Sequence, residues 1–347
     1  MLLADRSAYA PGTLDICGDP SLRRYWLDLF RRHIASAAAR VAREHAREPE
    51  LVARMERARA AFTAHVDALA ADGAAGPFDT LTLCAERERA LRAAGVDDPF
   101  RRVKERENVA ALALLPAVLA EIDALAEPQR LEALVRGIFA GNVFDLGSHA
   151  TAALYEDGGA DFSAVRTRLA PRPWLVDDLD SLRERFESPV GCVLLFVDNA
   201  GSDVVLGMLP FARECLRRGA RVVLAANRTP ALNDVTHDEL LALVAQAAPL
   251  DEALRAAVSS GQLALVTSGN GLPLIDLRAL GPELRAEIER HPPDLVVLEG
   301  MGRAVESNWN ARLRVDTLKI AMLKDVSVAQ HLGGALYDLV LRFEPAG

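Results

Sequence analysis

Two periodicities divide this chain. From about residue 21 to 135, apolar residues recur every three or four positions with Arg and Glu between them. That is the period of helices burying one face. It predicts helices over residues 24–47, 51–71, 81–94 and 100–125, the last with a kink or break at Pro116. Gly73-Ala-Ala-Gly-Pro77 and Asp97-Asp98-Pro99 interrupt the pattern. From about residue 190 the pattern changes to short β-rich apolar runs at 192–197, 222–226, 263–267, 295–298, 320–323 and 339–343. Helical stretches at 203–218, 237–247 and 282–290 separate them. Thr236-His-Asp-Glu239 is a capping box, and Gly219 stands where a helix C′ residue belongs. Strands alternating with helices predict an α/β protein: a three-layer α/β/α arrangement with a mostly parallel sheet, its last strand free to run antiparallel. The expected organisation is a helical domain over 1–135, a connecting region over 136–190 that includes the irregular Pro171-Arg-Pro173, and an α/β/α catalytic domain over 191–347.

Composition narrows the function classes. The 347 residues are 50% hydrophobic, enough for a full core. Forty basic against 49 acidic residues give a net charge of −9, which argues against a nucleic-acid partner while leaving room for a local basic pocket. Cys17, Cys84, Cys192 and Cys215 form no C-x-x-C pair, as expected of free thiols in a reducing cytosol. No window reaches the roughly 18 apolar residues of a membrane span, and the start lacks a signal-peptide pattern, so a cytoplasmic protein with no membrane partner is expected. The charge run Arg101-Arg-Val-Lys-Glu-Arg-Glu107 reads as a solvated helix face. No heptad seam speaks to oligomeric state.

In an open α/β sheet, ligands sit outside the carboxyl ends of the strands. Those ends are followed here by Asp198-Asn199, by Asn227 with the loop to Asp234, by Ser268-Gly-Asn-Gly271, by Glu299-Gly-Met-Gly-Arg303, and by Lys324-Asp325. Asp198, Asn199 and Asp234 offer hard oxygen ligands of the kind Mg²⁺ or Mn²⁺ takes, provided the fold joins positions so far apart in sequence. Each also has an ordinary reading: an Asx turn after a strand, or a turn ahead of the Thr236 cap. Lys324 could pair with a phosphate or simply be solvated. Gly201 and Gly300 could let backbone N–H groups approach an anion. The P-loop, G-x-G-x-x-G, H-E-x-x-H and G-x-S-x-G motifs are absent, as is the Asp-x-Asp of haloacid-dehalogenase phosphatases.

Several stretches in order resemble the damage-control phosphatases, also known as domain of unknown function 89. They are Asp98-Pro-Phe-Arg-Arg-Val-Lys-Glu-Arg-Glu-Asn108, Ala140-Gly-Asn-Val-Phe-Asp-Leu-Gly147 and Phe196-Val-Asp-Asn-Ala-Gly-Ser-Asp-Val-Val-Leu-Gly207. Ala226-Asn-Arg-Thr-Pro-Ala-Leu-Asn-Asp-Val-Thr236, Glu299-Gly-Met-Gly-Arg303 and Leu318-Lys-Ile-Ala-Met-Leu-Lys324 continue the likeness. It is strongest to the plant and pantothenate-kinase-fused subfamily and runs from about 95 to the C-terminus. The resemblance implies a metal-dependent phosphatase with Asp198, Asn199 and Asp234 as metal ligands and Lys324 holding the substrate phosphate. It further implies Asn227 as an active-site amide, Asn142 and Asp145 near the site, and Glu299 and Arg303 in a subfamily-specific loop. Arg228-Thr229 departs from the Ser-Gly of close relatives.

The expected reaction is hydrolysis of a small phosphate monoester, such as a phosphopantetheine derivative or a sugar phosphate. The expected cofactor is Mn²⁺, Mg²⁺, Co²⁺ or Ni²⁺, and the nucleophile either a metal-activated water or Asp198 itself. Two rivals come from other classes: an adenosylmethionine-dependent carboxyl methyltransferase, and a non-catalytic regulator that binds a phosphometabolite.

Overall fold

The structure is a computed structural model describing residues 2–71, 78–143 and 162–347. Five helices come first: α1 (Pro20–Glu44), α2 (Pro49–Ala71), α3 (Thr80–Ala93), α4 (Arg101–Asp123) and α5 (Gln129–Asn142). After α6 (Phe162–Arg168), a short edge strand β1 (Val176–Asp177) and α7 (Leu179–Arg185) lead into the sheet. Its remaining strands are β2 (Cys192–Phe196), β3 (Arg221–Ala226), β4 (Leu263–Thr267), β5 (Leu295–Glu299), β6 (Asp316–Met322) and β7 (Leu339–Glu344). Between them lie α8 (Leu209–Arg217), α9 (His237–Ala247), α10 (Glu252–Ser260), α11 (Pro282–Arg290) and α12 (Val326–His331).

The seven strands lie in the order β1-β7-β6-β5-β2-β3-β4. β6, β5, β2, β3 and β4 are parallel; β7 runs antiparallel to β6 and carries β1 parallel to itself. The period-two alternation of the buried strands explains the layers. Val193, Leu195, Val222, Leu224, Leu295, Val297, Leu318 and Ile320 share a core with α4, α5, α8 and α9. Leu194, Phe196, Val223, Ala225, Val296, Leu298 and Ala321 share one with α1, α2, α3 and α11. The N-terminal helices thus share one apolar core with a face of the sheet. No described helix is long and apolar enough to cross a membrane.

Three local expectations change. α4 runs unbroken through Pro116, which lies on the exposed face where its unbonded carbonyl partner can reach water. The stretch left unassigned between 136 and 190 contains the end of α5, α6, β1 and α7, with 144–161 outside the described residues. In the charge run, Arg101, Arg102, Glu105 and Arg106 are exposed as expected, but Lys104 is only 1% exposed. Its Nζ lies 2.8 Å from Asp98 and 2.7 Å from Glu239, and it also reaches the Asp234 carbonyl at 3.5 Å. Burial works against its charge, and the two carboxylates more than offset that. Lys104 therefore ties α4 to the loop after β3. Lys104→Met should destabilise the fold by about 3 kcal/mol, since it strands two carboxylates, one of them free to turn toward water. A denaturant midpoint unchanged from wild type would refute this.

Candidate active site

The carboxyl edge of the sheet is organised by backbone pairing between two loops. Past β2, Val197 still donates to Ala225 O at 3.1 Å. Asn199 then bridges Asp234, with Val235 N–H donating to Asp198 O and Ala200 N–H to Asn233 O, both at 2.9 Å. This pairing joins the strand-end acids that sequence separates. Between them lies Arg303, 2% exposed, from the π-helical turn Met301–Glu306 after β5. One of its terminal nitrogens pairs with Asp198 Oδ1; the other donates to Asp234 Oδ2 at 2.7 Å and to Asn227 Oδ1 at 3.2 Å. Burial opposes the guanidinium charge, but Asp234 and Asp198 hold its pKa above the ordinary arginine value.

A second tier stands behind Asp198. The helix after β2 begins as a π-helical stretch, Asp203–Met208, and crosses α5 at backbone contact. A Cβ at Gly141 would lie 2.7 Å from Asp203 Cα, and one at Gly207 3.0 Å from Ile138 Cα. At Gly141 only glycine permits that approach, with Gly207 a tight second contact, and the crossing delivers Asn142, the last residue of α5, into the acid cluster. Asn142 Nδ2 donates to Glu299 Oε1 at 2.8 Å, to Asp203 Oδ2 at 3.1 Å and to Asp198 Oδ2 at 3.4 Å. Asn199 donates its side-chain N–H to Asp203 at 2.8 Å and to Asp198 Oδ2 at 3.1 Å. Glu299 Oε2 accepts the Asp198 backbone N–H at 3.0 Å. Oxygens of Asp198, Asp203 and Glu299 lie within 4.8 Å of one another. Desolvation raises all three carboxyls above their ordinary range. Mutual repulsion adds to this at Asp198 and Glu299, while Lys324 pulls each of the three down.

The oxygen donors gathered around Asp198 suit a hard divalent cation at that carboxylate, and the buried Asp203 Oδ1 and Asn142 Oδ1 behind it, which meet no hydrogen-bond donor among the described residues, add negative potential there. The sequence marks Asp203 only as the start of a helix. Its role in the cluster depends on the π-helical turn, which apolar periodicity does not announce.

The glycines act otherwise than expected. Gly201 N–H donates to Asn108 Oδ1 at 2.7 Å and Gly300 N–H to Ile320 O at 3.0 Å, so neither is left for an anion. Gly300, at φ 93°, instead provides room: a Cβ there would overlap the Asp198 carboxylate. Asn227 faces inward, donating to Asp234 Oδ2 at 2.9 Å and Leu272 O at 3.1 Å. Lys324, 3% exposed, donates to Asn142 O at 2.8 Å. Asp145 lies outside the described residues.

A cavity of about 220 Å³ opens onto Asp198, Asn199, Asp234 and Lys324. Asp203 and Glu299 do not line it. It is lined as well by Tyr25, Trp26, Leu29 and Phe30 of α1 and by Cys84 and Arg87 of α3. These residues went unnoticed in the sequence because helical spacing makes them look like ordinary core positions. Cys84 is no candidate nucleophile: burial pushes its thiol up to about 12.

Residues 26–340 match the family model described as damage-control phosphatase ARMT1-like domain. The chain belongs to that family. It is a phosphatase of the damage-control class, and its relatives bear this out. It is 42% identical over 322 residues to a damage-control phosphatase of Arabidopsis thaliana, covering 92% of this chain and 87% of that one. A 4′-phosphopantetheine phosphatase of Mus musculus is 33% identical over 99% of this chain. Pantothenate kinase 2 of Arabidopsis thaliana is 40% identical over 99% of this chain. The chain spans 48% and 41% of those two longer proteins. Among solved structures, a DUF89 family protein from Pyrococcus horikoshii superposes with a TM-score of 0.58 at 17% identity. That match covers 90% of this damage-control phosphatase and 96% of the archaeal chain, and it bears on fold alone.

Proposed function

We propose that this phosphatase hydrolyses small phosphate monoesters with a divalent cation held by Asp198, Asn199 and Asp234. The observation that carries the reading is the single cavity lined by these three residues together with Lys324. Asp203 and Glu299 do not line it and serve as buried supports that orient Asp198 and Asn199 and deepen the negative potential. When bound, such a cation polarises a phosphate oxygen and offsets the charge of the transition state. Mn²⁺, Mg²⁺, Co²⁺ and Ni²⁺ all suit the role, and the test chooses between them.

The chain's own residues supply the rest. Lys324 presents its ammonium to the phosphate, anchored by the Asn142 carbonyl. Arg303 keeps the Asp198 and Asp234 carboxylates in register from beneath. Arg303 holds one Asp198 oxygen and the Asn199 and Asn142 amides the other, which fixes the carboxylate for the cation; the nucleophile is either a water at the cation or Asp198 itself. Substrates come from the class of phosphorylated metabolites, with phosphopantetheine derivatives and sugar phosphates as first candidates, given the relatives' names. A cytoplasmic setting accords with four unpaired cysteines.

The test is phosphate release from a panel of phosphate esters with each cation and with chelator. Release that chelator leaves intact would overturn the reading. Adenosylmethionine stabilising the protein in a melt where Mn²⁺ does not would favour methyl transfer. Tight binding of the esters without turnover would favour a regulatory binder.

The same cluster sets a pH dependence. Asp198, Asp203 and Glu299 hold protons more tightly folded than unfolded. Their contribution to stability is therefore full below about pH 4 and is lost as pH rises through their raised folded values. A cation held by Asp198 displaces that carboxyl's proton and is drawn by charge on the two carboxylates behind it, so its affinity should rise with pH. Calorimetric titration with Mn²⁺ should give tighter binding and less proton release at pH 8 than at pH 5.5; equal affinities at both would contradict the sign.

A further inference from the structure

The turn that carries Arg303 is held from outside by residues 2–13, which run along the segment after β5. Ala4 N–H donates to Arg312 O at 2.9 Å and Arg314 N–H to Leu2 O at 2.8 Å, around an antiparallel bridge of Leu3 with Leu313. Further on, Gly12 N–H donates to Ser307 O at 3.1 Å and Thr13 N–H to Glu306 O at 2.8 Å, and the Thr13 hydroxyl donates to Val305 O. A π-helical turn is a rare conformation, and the last carbonyls of a helical turn lack partners within it. Here Gly12 and Thr13 supply donors to the last two residues of the turn and to Ser307, which caps it.

Tyr9 links this strap to Arg303 itself. Its hydroxyl donates to Asn308 Oδ1 at 2.8 Å and accepts the Leu277 N–H at 3.1 Å. The Asn308 side-chain nitrogen donates in turn to Arg303 O at 2.9 Å and to Ile275 O at 3.0 Å. Tyr9 and Asn308 are both buried. Burial holds the Tyr9 phenol well above the ordinary tyrosine range, so the hydroxyl remains a donor. Residues 2–13 precede the stretch matched by the family model, and none of them lines the cavity. Any effect they have on the acids must therefore pass through the turn, whose Arg303 guanidinium spans Asp198 and Asp234. We propose that Tyr9 is a positioning residue that acts on the acid cluster through Asn308 and the Arg303 turn, setting both turnover and the cluster's response to a cation. This rests on the reading of Asp198, Asn199 and Asp234 as the cation site. A turn freed at Tyr9 lets the guanidinium withdraw, so the acids lose their register and also the internal charge with which a bound metal ion competes.

Tyr9→Phe keeps the ring, whose centroid lies 5.4 Å from the Arg278 guanidinium carbon, and removes only the hydroxyl. Its melting temperature should fall without metal. Mn²⁺ should then raise it by more than it raises wild type, so that the gap narrows as metal is added. On the ester of the panel that wild type hydrolyses fastest, at saturating Mn²⁺, kcat should fall on the order of fivefold with KM little changed, the loss of one buried hydrogen bond. Thr13→Val removes the other strap hydroxyl and should move both readouts the same way; it decides the matter if Tyr9→Phe does not fold. In an Arg303→Lys background, Tyr9→Phe should add little to the Mn²⁺ shift, whereas independent sites would add. A melting loss equal with and without Mn²⁺, an unchanged kcat in both strap variants, or full additivity with Arg303→Lys overturns the role of Tyr9 and leaves the metal reading intact. Wild type that neither releases phosphate with Mn²⁺ nor is stabilised by it overturns that reading, and this inference with it.

Discussion

Asp198→Asn should lower cation-dependent phosphate release by about a thousandfold or more. The substitution preserves shape but removes the charge on which the site converges. Asp198 is where the two tiers meet: Arg303 holds one oxygen, the Asn199 and Asn142 amides hold the other, and its own N–H is fixed by Glu299. Losing several kcal/mol of transition-state stabilisation, at about 1.4 kcal/mol per tenfold, gives that magnitude. Folding should suffer little. Asp198 is crowded by Asp203 and Asp234, and relief of that repulsion offsets the weakened pairing with Arg303. Phosphate release and a thermal melt on the same preparation separate the two effects. A variant keeping a tenth of wild-type activity would remove Asp198 from the centre of the chemistry.

Arg303→Met should act in the opposite way, through stability first. It strands Asp198 and Asp234 in a site where each is at most 5% exposed, and breaking a buried pair in this manner costs about 3–5 kcal/mol. The same loss leaves two carboxylates free of their internal cation. Mn²⁺ should therefore raise the melting temperature of the variant by more than it raises that of wild type, the two curves converging as metal is added. Melts with and without Mn²⁺ provide the measurement. A variant as stable as wild type without metal would show that Arg303 is not what holds the two loops together.

The sheet and its edge were legible for a clear reason. Buried parallel strands read as short apolar runs, and the rule that ligands gather at their carboxyl ends places Asp198, Asn199, Asp234 and Lys324 at one edge. Backbone pairing of Asn199 with Asp234 then depends on the loop after β3, which sequence separation conceals. What could not be read was which groups are already satisfied. A glycine letter does not say whether its room serves an anion or a neighbouring side chain, and at Gly300 it serves Asp198. A lysine in a charge run looks solvated until its burial is known, as Lys104 shows. Arg87 and the α1 wall were hidden for a related reason: a helix turned toward a cavity carries the same apolar spacing as one turned toward a core.

The glycine contact between α5 and the π-helical turn has a consequence for how this protein can diverge. Asn142 reaches the acids because two backbones touch, with no side chain setting the gap. Neighbouring core residues can exchange volume among themselves, and the repacking will be taken up elsewhere in the layer. The spacing at Gly141 has no such freedom and that at Gly207 has little, because the smallest change available there is a whole methyl group. Variation in this layer should therefore be abundant but discontinuous, spreading around those two positions and stopping at them.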